Sequence, residues 1–341
     1  MVTSPPYFGL RDYGHEGQIG LEESPDAYVK ELVTIFDEVW RVLADDGTLW
    51  LNLGDSYAGG GRGGNPGNST HWKKGTNAGS LVAPSPIPNG LKSKDMVGIP
   101  WRVAFALQSQ GWYLRQDIIW AKPNPMPESV TDRCTKSHEY LFLLTKSARY
   151  LCDMEAIAEP IAESSVSRLA QDLESQQGSA RVPGKTNGTM KAVSRSSWNG
   201  SRFDIGKTAE HQGQRMQRRT PPPRFGGTKY GLSDDPAFAT YSGNEYQETG
   251  MRNKRDVWTI SGQPFKGAHF AVMPEALVEP CILAGSREGD MVLDPFAGSG
   301  TVGVVALRHQ RNFVGVELNP TYAEMSRARI KDDAPLLNEV A

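Results

Sequence analysis

The stretch Met291-Val292-Leu293-Asp294-Pro295-Phe296-Ala297-Gly298-Ser299-Gly300-Thr301 leaves this chain few folds to adopt. It reads as a short buried strand ending on an acid, followed by a glycine-rich turn. Gly300 to His309 then reads as a helix, Phe313 to Glu317 as a second strand and Pro320 to Ile330 as a further helix. Glycines let a backbone turn tightly and approach a ligand where a Cβ would collide. An acid at the next strand end, here Glu317, can accept both hydroxyls of a ribose. The unit is therefore a candidate nucleoside-cofactor site. Gly298, Gly300 and Gly303 also spell G-x-G-x-x-G, which keeps open an oxidoreductase built on a nicotinamide or flavin dinucleotide fold.

Upstream, Ser24-Pro25-Asp26 supplies a cap, a first-turn proline and a first-turn acid. Tyr28, Leu32, Ile35, Val39 and Val42 follow at helical spacing, predicting an amphipathic helix that stops at Asp46-Gly47. Residues 48–53 predict a buried strand, Pro100 to Gln110 a helix, and Tyr113 to Trp120 and His138 to Leu144 two more strands. Strands alternating with helices predict an α/β fold whose sheet is covered on both faces. A length of 341 residues suits one large domain or two ordinary ones. No run of about 18 apolar residues and no basic-then-apolar leader is present, so neither a membrane span nor export is expected, and a cytoplasmic location is. Cys134, Cys152 and Cys281 fit neither a disulfide framework nor a metal knuckle and are expected to be reduced core thiols. No His, Cys and carboxylate cluster has ligand spacing, so no metal is predicted.

Two stretches break the rhythm. Residues 58–80 are Gly-rich and polar and are expected to form a mobile loop. Residues 160–255 are polar as well, and between Arg181 and Lys229 eleven basic residues face only Asp204 and Glu210, in a chain whose net charge is −2. Trp198, Phe203, Phe225 and Tyr230 are interleaved with them. This pattern predicts DNA contact, with Arg202, Arg215, Arg218, Arg219 and Arg224 clamping phosphates or reading guanine edges.

Asp294 bears on which cofactor is bound. An acid at the strand tip would repel a pyrophosphate but can pair with a cationic group of S-adenosylmethionine. The run D-P-F-A-G-S-G-T together with Val314-Gly315-Val316-Glu317-Leu318-Asn319-Pro320 resembles motifs I and II of the DNA amino-methyltransferases. The resemblance implies that S-adenosylmethionine is held by Asp294, Pro295, Phe296, Gly298, Gly300 and Thr301, with Glu317 and Asn319 from the second motif. Thr3-Ser4-Pro5-Pro6-Tyr7 resembles motif IV of the same family. The chemistry accounts for each part. An exocyclic base amine is a poor nucleophile because its lone pair is delocalised into the ring. Acceptors around it, the Ser4 hydroxyl and a carbonyl of Pro5-Pro6, would pull the nitrogen toward tetrahedral geometry, and the prolines hold that backbone extended. Tyr7 would stack on a base swung out of the duplex. No covalent intermediate is needed, and no P-C motif of a cytosine C5 methylase is present.

Motif IV precedes motif I, which resembles the permuted beta class. The implied fold is a Rossmann-like methyltransferase sheet with helices on both faces and a loop-rich inserted recognition region. Residues 1–159 would form the catalytic half, 160–255 the target-recognition region and 256–341 the cofactor half. Trp120-Ala121-Lys122-Pro123-Asn124-Pro125 and Ser137-His138-Glu139-Tyr140-Leu141 resemble the middle motifs, and Lys122 is a candidate DNA contact. Asp256-Val257-Trp258, Lys266, His269 and Met273-Pro274 resemble the motif X segment packing over the methionine end of the cofactor. Asp55 is a candidate for touching base or cofactor, or simply a capping carboxylate; His138 is either a base-reading group or structural. Only Met1 and Val2 precede Thr3, where the family carries a full strand with motif III upstream, so an earlier start is expected. If the chain is complete as given, weak cofactor affinity and low activity are expected instead. Ser4 at the head of the motif favours cytosine N4 over adenine N6, since the family's adenine enzymes more often carry Asp or Asn there. The implied role is site-specific DNA methylation of the restriction–modification kind on double-stranded DNA. An inactive DNA-binding module and a homodimer both stay open.

Overall fold

The computed structural model describes residues 1–10, 12–59, 87–88, 90–125, 127–162, 251–262 and 272–333. The Gly-rich stretch from residue 60 on, Arg202, Arg215, Arg218, Arg219 and Arg224, and also Lys266 and His269, lie outside the described residues. The chain divides into two compact units, one made of Met1–Ile157 with Lys254–Ala341 and the other of Ala158–Asn253. In the second unit, β5 (Glu159–Pro160) pairs antiparallel with β6 (Met251–Arg252), and Arg252 Nε donates to Glu159 Oε1 at 3.0 Å.

The first unit is built on a mixed sheet in the order β1 (Val2–Thr3), β2 (Thr48–Leu53), β4 (His138–Thr145), β3 (Tyr113–Ala121) and β7 (Val257–Thr259). β4 runs antiparallel to both neighbours, whereas β1 is parallel to β2 and β7 to β3. A separate parallel pair, β8 (Met291–Asp294) with β9 (Asn312–Gly315), meets β1 where Thr3 Oγ1 donates to Asp294 Oδ1 at 2.6 Å. Alternation along β2 and β4 buries both sheet faces. Leu49, Leu51, Leu53, Phe142 and Leu144 pack with Tyr28, Leu32 and Phe36 of α1 (Pro25–Val42) and with Val103 and Leu107 of α2 (Ile99–Ser109). Trp50, Leu141 and Leu143 face the other way, onto Leu277, Val278 and Ile282 of α3 (Glu275–Gly285) and Val302 and Val305 of α4 (Thr301–Arg308). Each such burial stabilises by about 1.5–3 kcal/mol. α5 (Pro320–Asp333) follows β9 and packs Ile330 into the same half.

The elements differ from the sequence expectation at several ends. Ser24 caps α1 as expected, its Oγ accepting from Ala27 N at 3.1 Å. The helix nevertheless closes at Val42, because Leu43 is extended and Gly47 N bonds back to Ala44 O at 3.0 Å in a separate turn. β9 ends at Gly315, so Glu317 stands in the loop beyond the strand. The helix α3 carries Pro280 in its interior and was not anticipated. Among the described residues, no helix is long and apolar enough to cross a membrane.

Candidate active site

A cleft of about 470 Å³ brings the two remote motifs together. Ser4, Pro5, Pro6 and Tyr7 line it after β1, and Asp294 at the end of β8 lines it with Pro295, Phe296 and Gly298 of the turn that follows. Thr301, Glu317 and Asn319 complete that second wall. Gly300 does not line it. That glycine is in the left-handed region with φ +76°, and a Cβ there would run into Ser326 Oγ, so it serves the turn and the approach of α5.

On the proline side, Ser4 Oγ donates to Asn52 Oδ1 at 3.1 Å, and the Tyr7 hydroxyl lies 2.9 Å from the same oxygen and 2.7 Å from Glu139 Oε2. Asn52 is 1% exposed within β2, and its Nδ2 donates to Tyr140 O at 3.1 Å and Glu139 Oε2 at 3.4 Å. Burial, with the Glu139 charge beside it, pushes the Tyr7 phenol well above its ordinary pKa, so it stays protonated. The ring of Tyr7 rests on Gly54, where an added Cβ would stand 2.8 Å from Cδ2. Of the two proline carbonyls, that of Pro6 accepts from the Tyr28 hydroxyl at 2.7 Å. No hydrogen bond reaches the Pro5 carbonyl among the described residues, which distinguishes the two acceptors that sequence reasoning left together.

On the glycine side, Asp294 is 1% exposed and receives bonds from Thr3 Oγ1 and, at 3.0 Å, from Phe296 N. Burial outweighs these bonds and raises its pKa to about 6. Glu317 is oriented by Gly298 N at 2.8 Å on Oε2 and by Asn319 N at 2.9 Å on Oε1. Asn319 Oδ1 in turn accepts from Thr321 N at 2.9 Å and caps α5. Beneath the turn, Arg329 Nη1 donates to Thr301 Oγ1 at 2.8 Å and Nη2 to Glu275 Oε1 at 3.0 Å, tying α4, α5 and α3 together.

Three other candidates are placed elsewhere. Asp55 is the capping carboxylate: its Oδ1 accepts from Gly98 N at 3.0 Å and Ile99 N at 3.1 Å, serving α2, whose own cap Gly98 has no side chain to offer. His138 opens β4 with its ring edge-on to Tyr140, 5.3 Å between centroids. Lys122 has its ammonium on Glu139 Oε1 and 4.1 Å from the centre of the Trp120 ring.

The family model described as DNA methylase matches residues 1–328. This chain belongs to the N6/N4 DNA methylase family. Type II methyltransferase M.Cfr9I from Citrobacter freundii is 41% identical to this methylase over 333 residues, covering 98% of this chain and 81% of that one. Type II methyltransferase M.SmaI from Serratia marcescens is 40% identical over 331 residues, covering 97% and 83%. Among solved structures, the cytosine-N4-specific PvuII DNA methyltransferase superposes with a TM-score of 0.50 at 16% identity, covering 97% of this chain and 83% of that one. The fold of this methylase is accordingly the Rossmann-like α/β methyltransferase fold, and the dinucleotide oxidoreductase alternative is set aside. Sequence reasoning passed over Asn52. Its signal was there: one amide in the otherwise apolar run Leu49-Trp50-Leu51-Asn52-Leu53, a position that must find buried partners.

Proposed function

We propose that this methylase transfers a methyl group from S-adenosylmethionine to the exocyclic amine of a DNA base swung into the cleft, cytosine N4 in preference to adenine N6. The observation that carries it is the direction of the Ser4 hydrogen bond. Because Ser4 donates its proton to Asn52, its oxygen keeps its lone pairs for the incoming amine. The Pro5 carbonyl supplies a second acceptor. Two acceptors on the amine hydrogens draw the nitrogen out of conjugation and leave its lone pair to attack. Tyr7, fixed by Gly54 and its hydroxyl bonds, offers a ring against which the base can stack. Serine at this position favours cytosine N4, as the adenine enzymes of the family more often carry Asp or Asn.

The cleft suits the cofactor. Its volume falls in the range of small-molecule sites, roughly 300–1,000 Å³. Asp294 is a buried carboxylate that gains from a cationic partner, Glu317 is oriented to accept ribose hydroxyls, and Val316, Leu318 and Phe296 give apolar walls for a purine. When bound, S-adenosylmethionine supplies a sulfonium-activated methyl group. The basic segment between Arg181 and Lys229 is proposed to hold the DNA. Ser4→Ala tests the reaction: kcat should drop by about a hundredfold while calorimetric affinity for S-adenosylmethionine stays within about twofold. A variant that methylates DNA at the wild-type rate would rule out Ser4 as the acceptor.

A further inference from the structure

The bonds that reach Ser4 end on a half-buried ion pair that the proposed reaction does not use. Glu139 and Lys122 keep only 16% and 24% of their side chains exposed. Charges withdrawn to that degree are costly to leave unpaired. Register brings the group together. Trp120 stands opposite Glu139, and Asn52 stands opposite Leu141, two residues along the same face of β4. Three adjacent strands therefore present Asn52, Glu139 and Trp120 on one side, directly behind the proline motif.

Proton accounting gives this cluster a consequence. Tyr7 has one hydroxyl proton and, besides the neighbouring Ser4 hydroxyl, a carboxylate and an amide oxygen in reach, Glu139 Oε2 at 2.7 Å and Asn52 Oδ1 at 2.9 Å. The charged oxygen is the stronger acceptor and takes it. Glu139 Oε2 also receives Asn52 Nδ2, which with the bond to Tyr140 O holds the amide oxygen toward Ser4. Were the Asn52 amide turned over, its NH₂ would donate to Ser4 and occupy the lone pair that the target amine needs. We propose that Glu139, held by Lys122, is a positioning residue that sets the direction of the hydrogen bonds reaching Ser4. Lys122 is its counter-charge, with the ammonium seated on the Trp120 face instead of on a DNA phosphate.

This inference rests on the reaction proposed above, and its test separates the two. Glu139→Gln is nearly isosteric, removes the charge and can donate as well as accept. It should lower kcat by about tenfold or more and leave KM for S-adenosylmethionine within about twofold. Unchanged kcat would overturn the positioning role. Lys122→Met should destabilise the protein in urea by leaving Glu139 unpaired, and adding Glu139→Gln should recover part of that loss. Strictly additive losses would overturn the pairing, whatever the activity. Lys122→Met should also keep the wild-type slope of DNA affinity against salt; a slope shallower by about one would make Lys122 a phosphate contact and overturn its assignment. Wild-type protein that binds S-adenosylmethionine but methylates no DNA would sink the reaction instead, and the stability cycle would still decide the pair.

Discussion

Tyr7 is held from two directions, by Gly54 under its ring and by Glu139 at its hydroxyl, so it cannot yield to a new methyl group without leaving one of them. Gly54→Ala should therefore cut methyl transfer by about tenfold or more, with an overpacking cost of about 1–3 kcal/mol in denaturant titration. Wild-type activity in that variant would mean that the ring position is unimportant. Asp294 makes a different forecast. Its pKa of about 6 in the folded chain exceeds the usual 3.8, so the folded state binds this proton more tightly than the unfolded one. Its contribution to stability is fully present below pH 3.8 and is lost as pH rises through about 6. The proposed pairing of Asp294 with a cationic group of the cofactor runs the other way, since it needs the ionised carboxylate. Affinity for S-adenosylmethionine should fall as pH drops below about 6, and Asp294→Asn should bind weakly with a flatter pH profile while unfolding at a higher temperature above that pH. Calorimetry and melting across pH 5–8 check both signs. Both acids of the proposed cofactor site and the whole proline motif, which line one cleft, were legible as residue types, because their chemistry is local. The division of labour between the two proline carbonyls was not, because it depends on Tyr28 arriving from α1.

At the scale of elements, local patterning located what local patterning controls. The Ser24 cap and the helical spacing of Tyr28, Leu32 and Val39 gave α1, and the apolar run gave β2. α3 was hidden by Pro280, ordinarily a helix breaker, which survives in an element whose Leu277, Val278, Cys281 and Ile282 are all buried against the sheet. Tertiary burial overrode propensity there. Asp55 shows the same limit in reverse: the residue stood out, but its partner at Gly98 and Ile99 lies across a long connection that no local pattern reports. Asp55→Ala should cost about 1–2 kcal/mol by leaving the first N–H groups of α2 without an acceptor, and should leave affinity for S-adenosylmethionine unchanged. A loss of affinity in a normally stable variant would give Asp55 a place in the site instead.

The whole first unit exists to hold two pieces of chain, far apart in sequence, on opposite walls of one cleft. Thr3 makes the join concrete, since its hydroxyl bonds the Asp294 carboxylate while its backbone leads directly into Ser4. Spacing in the sequence suggested both pieces; in the structure the bond from Thr3 to the tip of β8 and the shared core packing of Val2 with Val292 join them. The most direct measurement is digestion of DNA to nucleosides, followed by mass spectrometry, after incubation with the protein and S-adenosylmethionine. N4-methylcytosine is predicted with the wild-type protein and should disappear with Ser4→Ala. N6-methyladenine would overturn the choice of base. 5-Methylcytosine, or no methylated nucleoside from a protein that binds the cofactor, would contradict methyl transfer to an exocyclic amine in this cleft.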